Sequence, residues 1–250
     1  MLPQARAFKE RIDASENIVF FGGAGVSTES GIPDFRSAHG LYRASGGRSY
    51  EEMLSIGYFR EHPDEFWRFY RDVMLYPNAK PNPAHLALRR LEEQGKLKAI
   101  VTQNIDGLHQ AAGSRNVLEL HGSVHRNRCM ECGRFFSLEE VLAMEGTPRC
   151  AGREGKKCGG LIKPEVVLYG ETLDESVLDQ SIAAIEACDL LIVAGTSLVV
   201  HPAAGLIQYR GPSAVMALLN REETPYDSLA SLVIRENLSE VMEQAIAYES

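Results

Sequence analysis

At 250 residues, 44% apolar and 24% charged, the chain has the make-up of one large globular domain, or of one domain carrying a small insert. No run approaches the roughly 18 apolar residues of a membrane span, and the first twenty residues mix acidic side chains into an amphipathic helical pattern, so neither a membrane anchor nor a secretory or transit signal is expected. A net charge of −8 without a basic patch argues against direct nucleic-acid binding and would suit a basic partner such as a lysine-bearing tail.

Short apolar runs recur along the chain at 18–21, 99–102, 117–120, 190–194, 215–219 and 232–234. Several are continuous rather than alternating, as strands buried on both faces of a parallel sheet must be. Helical patterns at 84–93, 175–187 and 202–209 fall between them. The alternation predicts a doubly wound α/β sheet, in which ligands bind beyond the strand C-terminal ends. Two stretches interrupt it: 37–80, rich in aromatic residues and glycine, and 122–165, which holds the cysteines. The expected division is therefore 1–36, 81–121 and 166–250 as a Rossmann-like domain, with 37–80 and 122–165 as two inserts forming a smaller one.

Polar or glycine-rich loops follow the strands. After the first, Gly22-Gly23-Ala24-Gly25-Val26-Ser27-Thr28 offers backbone that could cradle a phosphate, or simply a tight strand-to-helix turn. Gly23 and Gly25 fit the first two glycines of a dinucleotide fingerprint, but Thr28 takes the third place. No second strand ending in an acidic residue follows about 20 positions on, which weakens a dehydrogenase reading. After the second strand, Gln103, Asn104 and Asp106 could hold a ribose or a carboxamide, or cap a helix starting near Ile105. His121-Gly122 closes the third strand and could present a general base or a structural donor. The other histidines, His125 among them, have no comparable setting. Gly195-Thr196-Ser197 and Asn220-Arg221-Glu222 close the next two strands.

Of five cysteines, Cys129-x-x-Cys132 forms a tight knuckle, with Cys150 and Cys158 following. Four thiolates make a closed tetrahedral zinc site, structural rather than catalytic. The second pair is spaced more widely than the usual two residues. Cys188 reads as a packed core residue. An odd cysteine count with a metal-like cluster suits a reducing cytoplasm.

Taken together and in order, GAGVS at 23–27, GIPDFR at 31–36, TQNID at 102–106, HG at 121–122, the cysteine set, KPEVVLYGE at 163–171, GTSLVV at 195–200 and NREETPYD at 220–227 resemble the sirtuin family over nearly the whole chain. The resemblance implies a Rossmann-like domain plus a small domain made of a zinc ribbon and a helical module. NAD and an acylated lysine peptide would meet in the cleft between them. In that chemistry the acyl oxygen attacks the nicotinamide-ribose carbon, nicotinamide leaves, and free lysine and O-acyl-ADP-ribose result. His121 would be the general base, with Asn104 and Asp106 beside it in the catalytic set. Ala24, Gly25 and Thr28 would face the pyrophosphate, and Phe35 and Arg36 would belong to a loop covering the cofactor. Gln103 and Asn104 would hold the ribose, and Ile105 and Asp106 the carboxamide. Gly195, Thr196 and Ser197 would bind phosphate or ribose, Asn220 the adenosine ribose, and Leu238 the adenine. Val166, Val167, Leu168 and Tyr169 would pair with the peptide as an added strand. Cys129, Cys132, Cys150 and Cys158 would hold one structural Zn2+.

Family members that remove succinyl or malonyl groups carry a Tyr-x-x-Arg pair whose arginine reads the acid. Trp67 and Tyr70 take those places here, so acetyl and other neutral acyl groups are the expected substrates, unless Arg68 or Arg71 fills the role. Two other readings stay open: an ADP-ribosyltransferase or NAD glycohydrolase on the same scaffold, and a non-catalytic module that binds partners through its zinc ribbon. Nothing in the sequence demands more than a monomer.

Overall fold

The computed structural model describes residues 1–34, 48–152 and 157–246. Its elements in chain order are α1 (Pro3–Asp13), β1 (Ile18–Gly22), two 3-10 turns (Ala24–Val26 and Thr28–Ser30), α2 (Tyr50–Met53), α3 (Ile56–Glu61) and α4 (Pro63–Phe69), which runs into a π turn at Tyr70–Met74. Then come α5 (Pro83–Glu93), β2 (Leu97–Thr102), α6 (Leu108–Ala111), β3 (Val117–Glu119), β4 (Gly122–Cys129), β5 (Phe135–Ser137), α7 (Leu138–Leu142) and β6 (Ile162–Val166). The chain continues through α8 (Glu175–Ala187), β7 (Leu190–Ala194), a 3-10 helix (Ala203–Tyr209), β8 (Val215–Leu219), β9 (Leu232–Ile234) and α9 (Leu238–Ala245).

Six strands form one parallel sheet in the order β3-β2-β1-β7-β8-β9. β1 and β7, at its centre, are buried at every position, which explains their unbroken apolar runs. α1, α5 and α9 cover one face, packing residues such as Phe8, Leu88 and Val241 against Phe20 and Ile192. α8 and the 3-10 helix cover the other, against Phe21 and Val193. Cap chemistry fixes where these helices start. Asn82 accepts from the N–H groups of Ala84 and His85 ahead of Pro83, and Asp174 and Asn237 cap α8 and α9. Leu88 has no exposed surface, and Leu88→Ala would cost about 2–5 kcal/mol.

The helical pattern at 202–209 closes as a 3-10 helix rather than an α-helix. The segment is short and interrupted by glycine, and Gly205 N–H bonds back three residues to the Pro202 carbonyl at 3.0 Å.

A second sheet, antiparallel in the order β5-β4-β6, packs with α2, α3, α4 and α7 around a core of its own. Phe59, Phe66, Trp67 and Tyr70 fill that core together with Val141, Ile162 and the zinc-knuckle residue Cys129. The observed architecture is therefore the expected one, a Rossmann-like parallel sheet with a smaller unit beside it.

The register of the parallel sheet sets up the site. Glu119 pairs with Thr102, Thr102 with Gly22, Gly22 with Ala194, Ala194 with Leu219, and Leu219 with Ile234. All six strands thus end on one row. The strand order reverses between β1 and β7, with β2 and β3 laid down on one side and β8 and β9 on the other, and a doubly wound sheet opens its crevice at such a point.

Candidate active site and metal centre

The loops leaving that row, together with β6 and the π turn, wall a cavity of about 1020 Å³. Every described residue expected from the sequence to meet cofactor or peptide lines it. Phe35 and Arg36 lie outside the described residues. The volume is at the upper end of the roughly 300–1,000 Å³ usual for small-ligand pockets, which leaves room for an extended ligand.

The glycines act differently from a simple phosphate cradle. A Cβ on Gly25 would sit 2.8 Å from Gly195 Cα, and one on Gly23 would sit 2.7 Å from Thr196 Cβ. Gly195 itself is left-handed at φ 60°, and its Cβ would lie 2.5 Å from Val26 N. The loops after β1 and β7 therefore pack backbone on backbone, joined by Gly25 N–H to the Gly195 carbonyl at 2.8 Å. Small residues are required so that the two loops can meet, and their meeting forms the cavity floor.

A hydrogen-bond relay crosses this floor. Ser27 Oγ donates to Asp106 Oδ2 at 2.7 Å, and Asn104 Nδ2 donates to Ser27 Oγ at 3.1 Å. Asp106 Oδ1 accepts the Leu108 N–H at 2.9 Å, so its carboxylate caps α6 as well. The cap reading and the site reading of this loop hold together, with the helix beginning at Leu108. Gln103 Nε2 donates to Thr196 Oγ1 at 3.1 Å, linking the loops after β2 and β7.

His121 leaves β3 partly buried at the cavity wall. Its Nδ1 lies 2.9 Å from the Gln103 carbonyl. A carbonyl can only accept, so that nitrogen carries the proton and Nε2 keeps its lone pair. Burial lowers the pKa below the ordinary 6.5, and the bond to Gln103 opposes it in part. The result is a neutral imidazole near pH 7 with a fixed tautomer. Gly122 follows at φ 75°, and a Cβ there would overlap the Glu165 carbonyl oxygen of β6. This glycine lets β6 come up against the histidine.

At the other end the wall is apolar: Val73, Met74, Ile105, Val124, Leu138 and Leu168 line it, with Tyr70. Arg71 is turned away. Its guanidinium donates to the carbonyls of Val141, Met144 and Gly146 at the end of α7 and stacks over Trp67. Arg68 is exposed and does not line the cavity. Neither arginine reaches this end.

Val166, Val167, Leu168 and Tyr169, which follow on from β6, line the cavity. Val167 N–H donates to the His121 carbonyl, Leu168 N–H to Glu171, and Tyr169 N–H to the Leu54 carbonyl. Much of the segment's backbone is thus engaged within the protein, which holds the segment rigid. Val200 and His201 line the same cavity. Tyr70, which the sequence set at the arginine's place of the Tyr-x-x-Arg pair, also lines it; Val200, His201 and His125 are cavity residues that sequence reasoning did not single out. The apolar run of GTSLVV was the available signal for Val200; nothing local marked the others.

Within the small unit, Cys129 and Cys158 approach at 3.6 Å between sulfurs, as do Cys132 and Cys150. All four sulfurs lie within 4.8 Å of one another. A tetrahedron with Zn–S of about 2.3 Å has edges of roughly 3.8 Å, so the donor set fits zinc. The wide second spacing does no harm. Cys150 and Gly160 exchange a backbone bond at 2.9 Å, as do Gly159 and Cys150, and this folds Cys158 back to the knuckle. Gly160 has no room for a side chain, since its Cβ would lie 2.7 Å from Cys129 Sγ. Cys188 is buried just beyond α8, away from the cluster, as expected of a core residue.

The chain is similar to known proteins along its full length. It is 54% identical over 249 residues to an NAD-dependent protein deacetylase of Clostridium acetobutylicum, covering 98% of this chain and 99% of the relative. Among solved structures, a Sir2 histidine-to-alanine variant with deacetylated p53 peptide and 3′-O-acetyl-ADP-ribose superposes with a TM-score of 0.87 at 36% identity, covering 96% of each chain. A Sir2 homologue variant in complex with ADP-ribose gives 0.85 at 40% identity, covering 96% of this chain and 94% of the other. The Sir2 family model matches residues 23–202. The chain belongs to the Sir2 family.

Proposed function

We propose that the protein removes acetyl groups from protein lysines in an NAD-dependent reaction that releases nicotinamide and O-acetyl-ADP-ribose. The observation that carries this reading is the setting of His121. It is a neutral base of fixed tautomer, standing where a polar row of strand ends meets an apolar pocket end. NAD, when bound, supplies an electrophilic sugar carbon as nicotinamide departs. His121 Nε2 takes the proton of a ribose hydroxyl. Asn104, held by Ser27, and Gln103 orient that ribose. Asp106 and Ile105 receive the carboxamide, and the Ser27 and Leu108 bonds keep the Asp106 carboxylate from turning. The floor made by Ala24, Gly25, Thr28, Gly195, Thr196 and Ser197 takes the phosphates. Asn220 and Leu238 take the adenosine end, and Phe35 and Arg36 are assigned to the loop that covers the cofactor.

The acyl-lysine enters between Val166–Tyr169 and Val200–His201, and the apolar wall around Tyr70 receives its acyl group. With Arg71 spent on α7, an acyl carboxylate would be buried without a partner, so neutral acyl groups are favoured. The reading includes one structural zinc on Cys129, Cys132, Cys150 and Cys158. It divides the chain into a cofactor-binding domain (1–36, 81–121 and 166–250) and a small domain (37–80 and 122–165). It also takes the protein as a monomer of a reducing cytoplasm, where such thiolates persist. Among the described residues no helix is long and apolar enough to cross a membrane.

The test is incubation with an acetyl-lysine peptide, with and without NAD, followed by mass spectrometry. Deacetylated peptide and O-acetyl-ADP-ribose that appear only with NAD are expected. NAD cleavage with ADP-ribose attached to protein would replace the reading with a transferase, and no NAD turnover would remove it.

A further inference from the structure

The fold brings His125, a residue of β4, against the turn that carries Asp106. Its Nε2 lies 3.0 Å from the Asp106 carbonyl oxygen and must donate to it. The ring packs so closely over Gly107 that a Cβ there would lie 2.7 Å from both Cδ2 and Nε2. Gly107 is left-handed at φ 72°, which aims the Asp106 carbonyl outward to the imidazole. One residue earlier, Val124 N–H donates to the Ile105 carbonyl at 3.0 Å. Two consecutive residues of the small sheet's central strand therefore grip two consecutive carbonyls of the loop after β2. His125, Gly107, Ile105 and Asp106 all line the cavity.

The Asp106 carboxylate is fixed from the parallel-sheet side, by Ser27 and the Leu108 N–H. Without His125, the peptide unit that joins Asp106 to Gly107 would be fixed on that side only, and a glycine neighbour leaves it free to rotate. We propose that His125 is a positioning residue for nicotinamide: through the Asp106 carbonyl it sets the orientation of the Ile105–Asp106 pair. This rests on the reading that these two residues receive the carboxamide of NAD. It makes β4 a working part of the cofactor site rather than only the support of the zinc knuckle.

The test compares wild type with His125→Leu, which removes the donor, and His125→Gln, which restores an N–H at similar reach. Loss of one such bond is expected to raise KM for NAD and the nicotinamide inhibition constant about 3- to 10-fold. KM for the acetyl peptide should stay within about twofold, Tm should fall by no more than about 2–4 °C, and the Gln variant should recover to within about twofold of wild type. The proposal is overturned if the Leu variant behaves as wild type, if the Gln variant is as impaired as Leu, or if Tm and every kinetic constant decline together. Calorimetric NAD binding separates this from failure of the deacetylase reading. If wild type binds NAD without deacetylating, that reading falls, and His125 is judged on Kd: weaker binding in the Leu variant upholds it, equal Kd overturns it. No NAD binding by wild type overturns both.

Discussion

The parallel sheet holds its part of the site by burying six strands between two helical layers, and its polar groups emerge where the strands end on a common row. The small sheet has three strands, two of them at edges, and its core is closed at one end by four cysteines. One region owes its order to apolar burial, which is spread over many residues. The other buries an aromatic-rich core of its own and adds to it a metal centre, two of whose cysteines are part of that core. The lesson is that damage should stay local in different ways: diffuse and graded in the large sheet, all-or-none in the small one.

Metal removal should produce the largest effect. Structural zinc contributes on the order of 10–16 kcal/mol of apparent binding free energy in zinc-finger peptides. Trp67 is the chain's single tryptophan and packs in the same core as Cys129 and Cys150. Stripping the metal with a chelator, or Cys129→Ser, should shift its emission to the red and abolish deacetylation. Most far-UV signal from α1, α5, α8 and α9 should survive. An unchanged tryptophan spectrum after verified metal loss would show that the small unit holds itself together.

His121→Ala should come next, lowering kcat about 10²- to 10⁴-fold with Trp67 emission and melting preserved. The same residue sets an acid limit on rate. Burial lowers its pKa, so the neutral base persists below pH 6.5 and activity falls only as pH drops through that lowered value. A pH-rate profile with its acid midpoint above 6.5 would contradict this assignment.

Acid should also act on stability, and on the large sheet. His85 and His109 pack ring to ring behind the site at 4.7 Å, and His109 meets Phe20 of β1. Burial pushes their pKa values down, to about 4 and about 3. The unfolded chain takes up protons below about pH 6.5 while the folded one does not, so stability is lost as pH falls from there towards 4. Each histidine contributes about 1.4 kcal/mol of loss by pH 5.5. Denaturant titrations at pH 7.5 and 5.5 measure it, and His109→Phe should remove about half. A flat profile over that range would mean that both rings already carry protons in the fold.

These effects fall where sequence patterns were strong or weak for physical reasons. β1 and β7 were legible because strands buried on both faces cannot alternate. The strands of the small sheet were not. β4 carries a register irregularity between Gly122 and Asn127 that breaks its period of two, and β6 contains Pro164, which an edge strand tolerates. The loops at the strand ends were legible as polar, but the reason for Gly23 and Gly25 was not, because it lies in Gly195, some 170 residues on. The apolar acyl end depended on where Arg71 points, and a one-residue slip of alignment would have reversed that reading. In the structure Arg71 donates to carbonyls at the end of α7 and does not line the cavity. His125 gave no signal at all, since its partner is a backbone carbonyl brought near only by tertiary folding.

The smallest expected effect tests whether the two regions are coupled by charge. Arg126 on β4 reaches Glu119, the last residue of β3, at 2.7 Å, and Glu165 on β6 at 3.5 Å. It is an ionic tie between the end of one sheet and the middle of the other. The arginine side chain is 44% exposed, which argues for the usual surface value of about 1 kcal/mol or less. Glu119 is only 8% exposed, which argues for more, because removing its partner strands a carboxylate that water reaches poorly. The open side of the pair should decide, since water and salt reach the guanidinium. Arg126→Met is therefore expected to cost about 1 kcal/mol, a loss that shrinks in high salt, with metal content and Trp67 emission unchanged. A loss of 3 kcal/mol or more, with tryptophan emission shifting as the large sheet melts, would show that this tie carries stability between the sheets and that neither is held by its own means alone.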